Sequence, residues 1–226
     1  MKIIKLFPIL LAYFLIVSTT ILLSDCKSTP KLSSSKNAKP LVSKRSVSKS
    51  RNPARYAIRA SAVGGVAGAV IEKYMDKQAA QLRQDLVGIS QVERVGQGIE
   101  VTLNNALFFK PNSYELSTDW QPQLKKLAET LLIYRDTEML IAGHTDNVGN
   151  AEENRLLSQK RAESLADFLQ AHQVSMIRIV TQGFGQDTPK ILGDTEDARR
   201  QNQRLELVIV ANSALKKQAK SGKSVE

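Results

Sequence analysis

Hydrophobic residues recur along this chain with two different periods. Segments in which they recur at every second residue predict strands, and segments in which they recur at about every 3.6 residues predict helices. Residues 98–103 alternate between apolar and polar side chains, as in a half-buried strand. Leu124, Leu127 and Leu131 recur at helical spacing in a helix predicted from residue 117 to about 134. Further elements are predicted at 138–142 (strand), 151–171 (helix), 176–182 (strand), 196–201 (short helix) and 205–210 (strand). The order β-α-β-α-β-(α)-β predicts an α/β (α+β) fold, a two-layer sandwich with crossover helices on one face of a mixed sheet.

The second long predicted helix carries two polar residues on its apolar stripe. At about 100° per residue, Arg161 and Asn154 fall among the apolar positions marked by Leu157 and Phe168. A guanidinium on a core-facing stripe needs a fixed partner, because an unpaired buried charge is costly. Asp146, in the loop before the helix, is the nearest acidic candidate. The pair is either a ligand site at the edge of the sheet or an internal salt bridge, and these residues alone leave both interpretations open.

Three pieces of sequence around this loop and helix are typical of one family. The segment GHTDNVG at 143–149, Asn154, and the segment LSQKRA at 157–162 resemble the signature of the OmpA-like peptidoglycan-binding domain. The resemblance extends over residues 99–211 and implies the same two-layer sandwich.

The resemblance also implies a ligand and the residues that bind it. In that family, the residues matching Asp146 and Arg161 hold the diaminopimelate of the cell-wall stem peptide. The residues matching Thr145 and Asn154 are supporting contacts. The implied partner is therefore peptidoglycan.

Two positions depart from the family pattern. Gln203 stands where the family usually has the first of two arginines, and Ala198 stands where it usually has glycine. We expect these departures to affect the C-terminal rim of the domain without touching the Asp146–Arg161 pair.

The first 25 residues predict an export signal, with two lysines before an apolar run at 6–23. The sequence LSDC at 23–26 resembles a lipobox, which implies that Cys26 is lipidated and anchors the chain to the outer membrane, with its domain in the periplasm. Asp25 departs from the small residue usual at that position. The alternatives are an incidental cysteine and an uncleaved inner-membrane helix, since the apolar run is nearly long enough to cross a bilayer.

The net charge of +10 belongs to a linker rather than to the domain. Residues 26–55 are rich in Ser, Lys and Pro, and every charged residue between 27 and 59 is basic. Such a segment buries too little apolar surface to order itself, so we predict a solvated linker. Its charge either contacts anionic lipids and wall polymers or only keeps the tether extended.

The segment before the folded domain is predicted to be helical in two parts. Small residues fill 60–71, where Gly64 and Gly68 are spaced to give a close-packing face, and 72–86 is polar enough for a solvated helix. This glycine-zipper-like run resembles the segment before the domain in a subset of outer-membrane lipoproteins. It either forms a homo-oligomer or membrane contact, or is a flexible stretch without a partner. The predicted segments are a signal at 1–25, a linker at 26–55, a helical segment at 56–87, the domain at 88–211 and a frayed polar tail at 212–226.

No motif in the sequence indicates an enzyme, a metal site or a cofactor. The two histidines, His144 and His172, have no accompanying nucleophile motif, and His144 is expected to pack at a loop or sheet edge. The basic linker lacks the aromatic residues typical of nucleic-acid binding. The leading hypothesis is therefore non-catalytic peptidoglycan binding that tethers the outer membrane to the wall. The alternatives are an oligomeric assembly lipoprotein and an inner-membrane wall-binding protein.

Overall fold

The computed structural model describes Ile58 and residues 62–222 of the 226-residue chain. The predictions for the signal segment, Cys26 and the basic linker lie outside the described residues. The strands are β1 (Ser90–Val95), β2 (Gly98–Asn104), β3 (Thr137–His144), β4 (Ile179–Gly185) and β5 (Arg204–Ala211). The helices are α1 (Gly65–Asp85), α2 (Asn105–Phe108), α3 (Gln121–Ile133), α4 (Ala151–Ala171), α5 (Glu196–Asn202) and α6 (Ser213–Lys220), with 3-10 turns at Thr118–Trp120 and Met176–Arg178. Of the helices in this described part, none has both the length and the apolar character needed to cross a membrane.

The strands form one mixed sheet in the order β1-β2-β5-β3-β4. β3 and β4 are parallel, and the other neighbours are antiparallel. A parallel pair needs a crossover connection, which α4 supplies by packing against both strands. The predicted α/β class and mixed sheet are thus confirmed. β1 was not predicted, because this edge strand is only half-buried and its apolar alternation is weak.

One face of the sheet carries the hydrophobic core. Val101, Leu207 and Ile141 lie side by side in the strand register, and all three are fully buried. They belong to one cluster with Leu127 of α3 and Leu165 of α4. The predicted apolar faces of the two long helices therefore pack against the same side of the sheet, which is the two-layer arrangement.

α1 is part of this core, so the prediction of a solvated helix at 72–86 is wrong. Ile71, Met75 and Leu82 are fully buried. The ring of Tyr74 meets that of Tyr134 edge-on, with centroids 5.3 Å apart. The buried positions recur at helical spacing, but the many polar residues between them concealed this stripe in the sequence.

The predicted frayed tail is also wrong over Ser213–Lys220, which form α6. The side chain of Asn212 caps this helix by accepting a hydrogen bond from the Leu215 amide at 2.9 Å. Leu215 and Ala219 are buried against the core, and α6 packs against α1. Short amphipathic helices of this kind are stabilised mainly by packing against the rest of the protein. The mostly polar sequence of this segment gave no indication of that packing.

Gly64 and Gly68 do not form the predicted packing face of one helix. Gly64 precedes α1 as its N-cap, whereas Gly68 lies within α1 and is buried. A Cβ at Gly68 would lie 2.5 Å from the Val63 carbonyl oxygen and 2.9 Å from the Gln97 side chain. The close approach that Gly68 permits is therefore made with Val63, just before α1, and with Gln97 of the β1–β2 turn.

Two glycines of the sheet set the position of α4. A Cβ at Gly143 of β3 would lie 2.1 Å from the carbonyl oxygen of Ser158, and one at Gly183 of β4 would lie 2.5 Å from the amide nitrogen of Gln159. Both contacts are with helix backbone, so α4 lies closer to the sheet than any larger residue permits. This approach places the side chains of α4 beside the loop that follows β3.

Candidate functional site

The loop between β3 and α4 is held by its own polar side chains. The Thr145 amide donates to the Gly185 carbonyl at 2.9 Å, and the Thr145 hydroxyl donates to the Asp146 carbonyl at 2.8 Å. Asn154 Nδ2 donates to the Val148 carbonyl at 2.9 Å. Thr145 and Asn154, predicted as supporting residues, are nearly buried and shape the loop that presents Asp146.

Asp146 is half-buried, and both of its carboxylate oxygens are oriented by neighbours. Oδ1 accepts from the Val148 amide at 3.1 Å, and Oδ2 accepts from Gln203 Nε2 at 2.6 Å. The expectation that Gln203 does not touch the Asp146–Arg161 pair is therefore wrong. The two residues are 57 positions apart in sequence, and the contact arises because β5 lies next to β3 in the sheet.

Arg161 projects from α4 and is only 4 % exposed, as its place on the apolar stripe predicts. Its Nε donates to the Ser113 carbonyl at 2.9 Å, and one terminal nitrogen donates to the Lys110 carbonyl at 3.4 Å. The guanidinium also lies over the Phe109 ring, 5.2 Å from its centroid. Burial lowers the pKa of Arg161 and the charge of Asp146 raises it, but an arginine remains charged in proteins.

Asp146 and Arg161 do not form an ion pair with each other within the described residues. The partners predicted from charge alone are thus replaced by backbone carbonyls for Arg161, and by an amide and Gln203 for Asp146. Arg161 has further guanidinium N–H groups that donate to no described residue, and these can donate to a ligand that lies between Arg161 and Asp146.

Both residues line one cleft of about 360 Å³, which we name the Asp146 cleft. All four predicted binding residues, Asp146, Arg161, Thr145 and Asn154, meet there. The rest of the wall was not predicted from the sequence, and it consists of Asn105, Ala106, Phe109, Lys110, Pro111, Asn112, Val148, Leu157, Arg199 and Gln203. The segment after α2 gave no signal, because it contributes carbonyls and a ring rather than a charged pattern.

A buried polar network lies behind the loop. Arg204 Nε is 2.7 Å from Glu206, whose other oxygen is 3.7 Å from His144 Nε2. The His144 ring stacks on Phe184 and contacts the Thr188 hydroxyl at 3.0 Å. Burial raises the pKa of Glu206, but His144 and Arg204 outweigh it and lower that pKa to about 2. Burial lowers the pKa of His144, and the neighbouring Glu206 opposes this effect.

The described residues bring no three His, Cys, Asp or Glu side chains into an arrangement that fits a metal ion. The chemistry that the Asp146 cleft offers is instead that of an anion and a cation held apart by backbone and amide contacts. The two charges of such a pair are complementary to a ligand that carries an ammonium and a carboxylate close together.

Several known proteins are similar to this chain in sequence. YiaD of Escherichia coli (strain K12), named a lipoprotein, is 34 % identical over 143 residues, which is 63 % of this chain and 65 % of YiaD. YfiB of the same organism, also named a lipoprotein, is 34 % identical over 108 residues, 47 % of this chain and 68 % of YfiB. The peptidoglycan-associated lipoprotein of Buchnera aphidicola subsp. Baizongia pistaciae is 26 % identical over 135 residues, 59 % of this chain and 78 % of that protein.

A solved structure shows the same architecture. A MotB-like protein from Desulfovibrio vulgaris matches with a TM-score of 0.58 and 17 % identity, over 71 % of this chain and 100 % of that one. At this identity the likeness concerns the fold alone. The model of the OmpA family matches residues 108–203, which include all four predicted binding residues. The chain therefore belongs to the OmpA family.

Proposed function

We propose that this chain binds peptidoglycan without catalysis, through the diaminopimelate residue of the stem peptide. The observation that carries the proposal is the Asp146 cleft, in which an acid and a base face a common space without neutralising each other. One centre of diaminopimelate has an ammonium and a carboxylate on the same carbon. Asp146 accepts from the ammonium, and the planar guanidinium of Arg161 donates to the carboxylate.

Relatives support the same partner. One matched protein is named peptidoglycan-associated lipoprotein, and two others are named lipoproteins. We infer that this chain anchors the outer membrane to the wall, with Cys26 lipidated in that membrane and the basic linker setting the reach between them. The mass of the mature N-terminal peptide tests the anchor. Acylated Cys26 supports it, whereas an unmodified peptide that retains residues 1–25 favours the inner-membrane alternative.

The binding proposal is tested by co-sedimentation of the full-length chain with purified peptidoglycan. A hydrogen bond to a charged group contributes roughly 1.5–3 kcal/mol, so Asp146→Asn and Arg161→Lys should each weaken binding by about tenfold to a hundredfold. Asn keeps the shape of Asp146 without its charge, and Lys keeps the charge of Arg161 without its planar fork.

Matched controls lie on the same helix. Arg155 and Asp167 are exposed on α4 and outside the Asp146 cleft. Arg155→Lys and Asp167→Asn should bind peptidoglycan like the parent. If the two cleft variants also bind like the parent while remaining folded by circular dichroism, the assignment of the site is wrong.

A further inference from the structure

A second cleft adjoins the first and has no role in the function proposed above. It measures about 490 Å³, compared with about 360 Å³ for the Asp146 cleft. Its walls come from the start of β1, from Thr102 and Asn104 of β2, and from α5 with the loop before it. We name it the Lys190 cleft, after the lysine of that loop. Gln203 lines both clefts, so the two adjoin at this residue.

The lining of the Lys190 cleft is mostly polar, with Ile89 and Leu107 as its large apolar members, and it has an excess of positive charge. Lys190 contacts the amide oxygen of Gln91 at 3.2 Å and forms no ion pair with any acidic residue of the described chain. The other cations at the cleft are neutralised, since Arg200 pairs with Asp197 at 2.6 Å and Arg204 pairs with Glu206 at 2.7 Å. One uncompensated, exposed cation therefore faces the cleft, and it favours an anionic ligand.

The character of the walls narrows the class of ligand. No aromatic side chain lines the Lys190 cleft, so it lacks the flat apolar platform on which a sugar ring would stack. Amide and hydroxyl groups line it instead, from Gln91, Thr102, Asn104 and Gln201. These groups both donate and accept hydrogen bonds, which suits the N–H and C=O groups of an extended peptide.

Gln203 connects this chemistry to the first cleft. Its Nε2 donates to Asp146, while its Oε1 accepts no hydrogen bond from any described residue. The amide is therefore fixed at one end and has a free acceptor at the other. Because Gln203 lines both clefts, this acceptor is available to a peptide N–H that passes from one cleft to the other.

We propose that the Lys190 cleft binds the part of the stem peptide that continues from diaminopimelate, and that Lys190 pairs with a carboxylate of that peptide. This inference rests on the proposed function, since it requires diaminopimelate in the Asp146 cleft. Diaminopimelate in the wall is joined to its neighbours by peptide bonds, so the chain has to leave the first cleft. Extended residues span about 3.3–3.6 Å each, and passing Gln203 brings the neighbouring carboxylate of the stem peptide to the positive cleft.

Calorimetric titration of the full-length chain with two soluble probes tests the proposal. The probes are free diaminopimelate and the stem tripeptide L-alanyl-γ-D-glutamyl-diaminopimelate, which adds a carboxylate and two peptide groups. Lys190→Ala should weaken tripeptide binding by about two- to fivefold, the range for an exposed ion pair. Its affinity for free diaminopimelate should equal that of the parent. Lys190→Glu, which reverses the charge, should weaken tripeptide binding more than Lys190→Ala does, and it should leave the affinity for free diaminopimelate unchanged.

Lys126, an exposed lysine of α3 outside both clefts, provides the matched control. Lys126→Ala should leave both affinities unchanged. The proposal is overturned if Lys190→Ala affects neither probe, or if it weakens both equally. If the parent binds neither probe, the proposed function itself fails, whereas intact diaminopimelate binding with an unaltered tripeptide affinity in the Lys190 variants refutes only the second cleft.

Discussion

Replacing Gly143 by alanine should separate α4 from the sheet and so disturb the whole candidate site. The added Cβ would lie 2.1 Å from the Ser158 carbonyl oxygen and 2.7 Å from its carbonyl carbon. Both are backbone atoms in the middle of a helix, so no side-chain rotation relieves the contact. To reach an ordinary contact of 3.4 Å from 2.1 Å, the helix has to move by 1.3 Å at this point.

The expected loss of stability is large because the backbone of α4 lies close to both β3 and β4. Overpacking a well-packed core usually costs about 1–3 kcal/mol. Here the helix is also held by Gly183, where a Cβ would meet backbone of the same helix at 2.5 Å, and it buries Ser158, Ala162 and Leu165 against the sheet. We therefore expect Gly143→Ala to lower the free energy of unfolding by about 3 kcal/mol. Since Arg161 is on the same helix, peptidoglycan binding should fall more steeply than the folded fraction.

Urea titration followed by fluorescence of the single tryptophan, Trp120, measures the change, because this side chain packs partly against the core. The matched control is Gly64→Ala. Gly64 has φ −89° and open space where its Cβ would lie, so this change should cost less than about 1 kcal/mol. If the free energy of unfolding of Gly143→Ala lies within about 1 kcal/mol of the parent value, α4 can shift at little cost, and the close approach at Gly143 does not limit the position of the helix.

Three further changes have definite expectations, each measured by urea titration. Gln78→Leu should stabilise the chain by about 1–3 kcal/mol, because both polar atoms of this fully buried side chain lack a partner among the described residues. Leu215→Ala should cost about 2–5 kcal/mol if α6 belongs to the core; an unchanged midpoint would mean that α6 contributes nothing. Glu206 has a pKa of about 2 in the fold against an ordinary 4.5, so its carboxylate stabilises the fold above pH 4.5, and about 3 kcal/mol is lost as the pH falls toward 2. Glu206→Gln should remove that pH dependence, whereas the exposed Glu138→Gln should retain it.

The parts of the site that lie on a regular element were predictable from the sequence. Arg161 and Asn154 fall on the apolar stripe of α4, and both are buried as expected. Helical periodicity alone gives this result, because it fixes which residues face the sheet. The acceptors for Arg161 were not predictable, since they are carbonyls of residues 110 and 113. Every residue has a carbonyl, so no sequence pattern marks the ones that a buried guanidinium uses.

The contribution of α1 was missed for a related reason. Ile71, Met75 and Leu82 share a face, but Gln78 interrupts the same stripe and gives it a polar appearance. Only the folded chain shows that this glutamine is fully buried. Likewise, Gln203 was recognised as a departure from the family pattern, but its contact with Asp146 depends on the order of strands in the sheet.

The way each charge is held supports the proposed ligand site over an internal salt bridge between Asp146 and Arg161. A buried ion pair in direct contact leaves little charge for a ligand, because each partner already satisfies the other. In this chain Arg161 is held by two neutral carbonyls and Asp146 by a neutral amide group on each oxygen. Neutral partners fix the side chains without cancelling their charges, so desolvation is offset while both charges still act on the cleft. Under the proposed function, the ammonium and the carboxylate of diaminopimelate would supply the missing partners of Asp146 and Arg161.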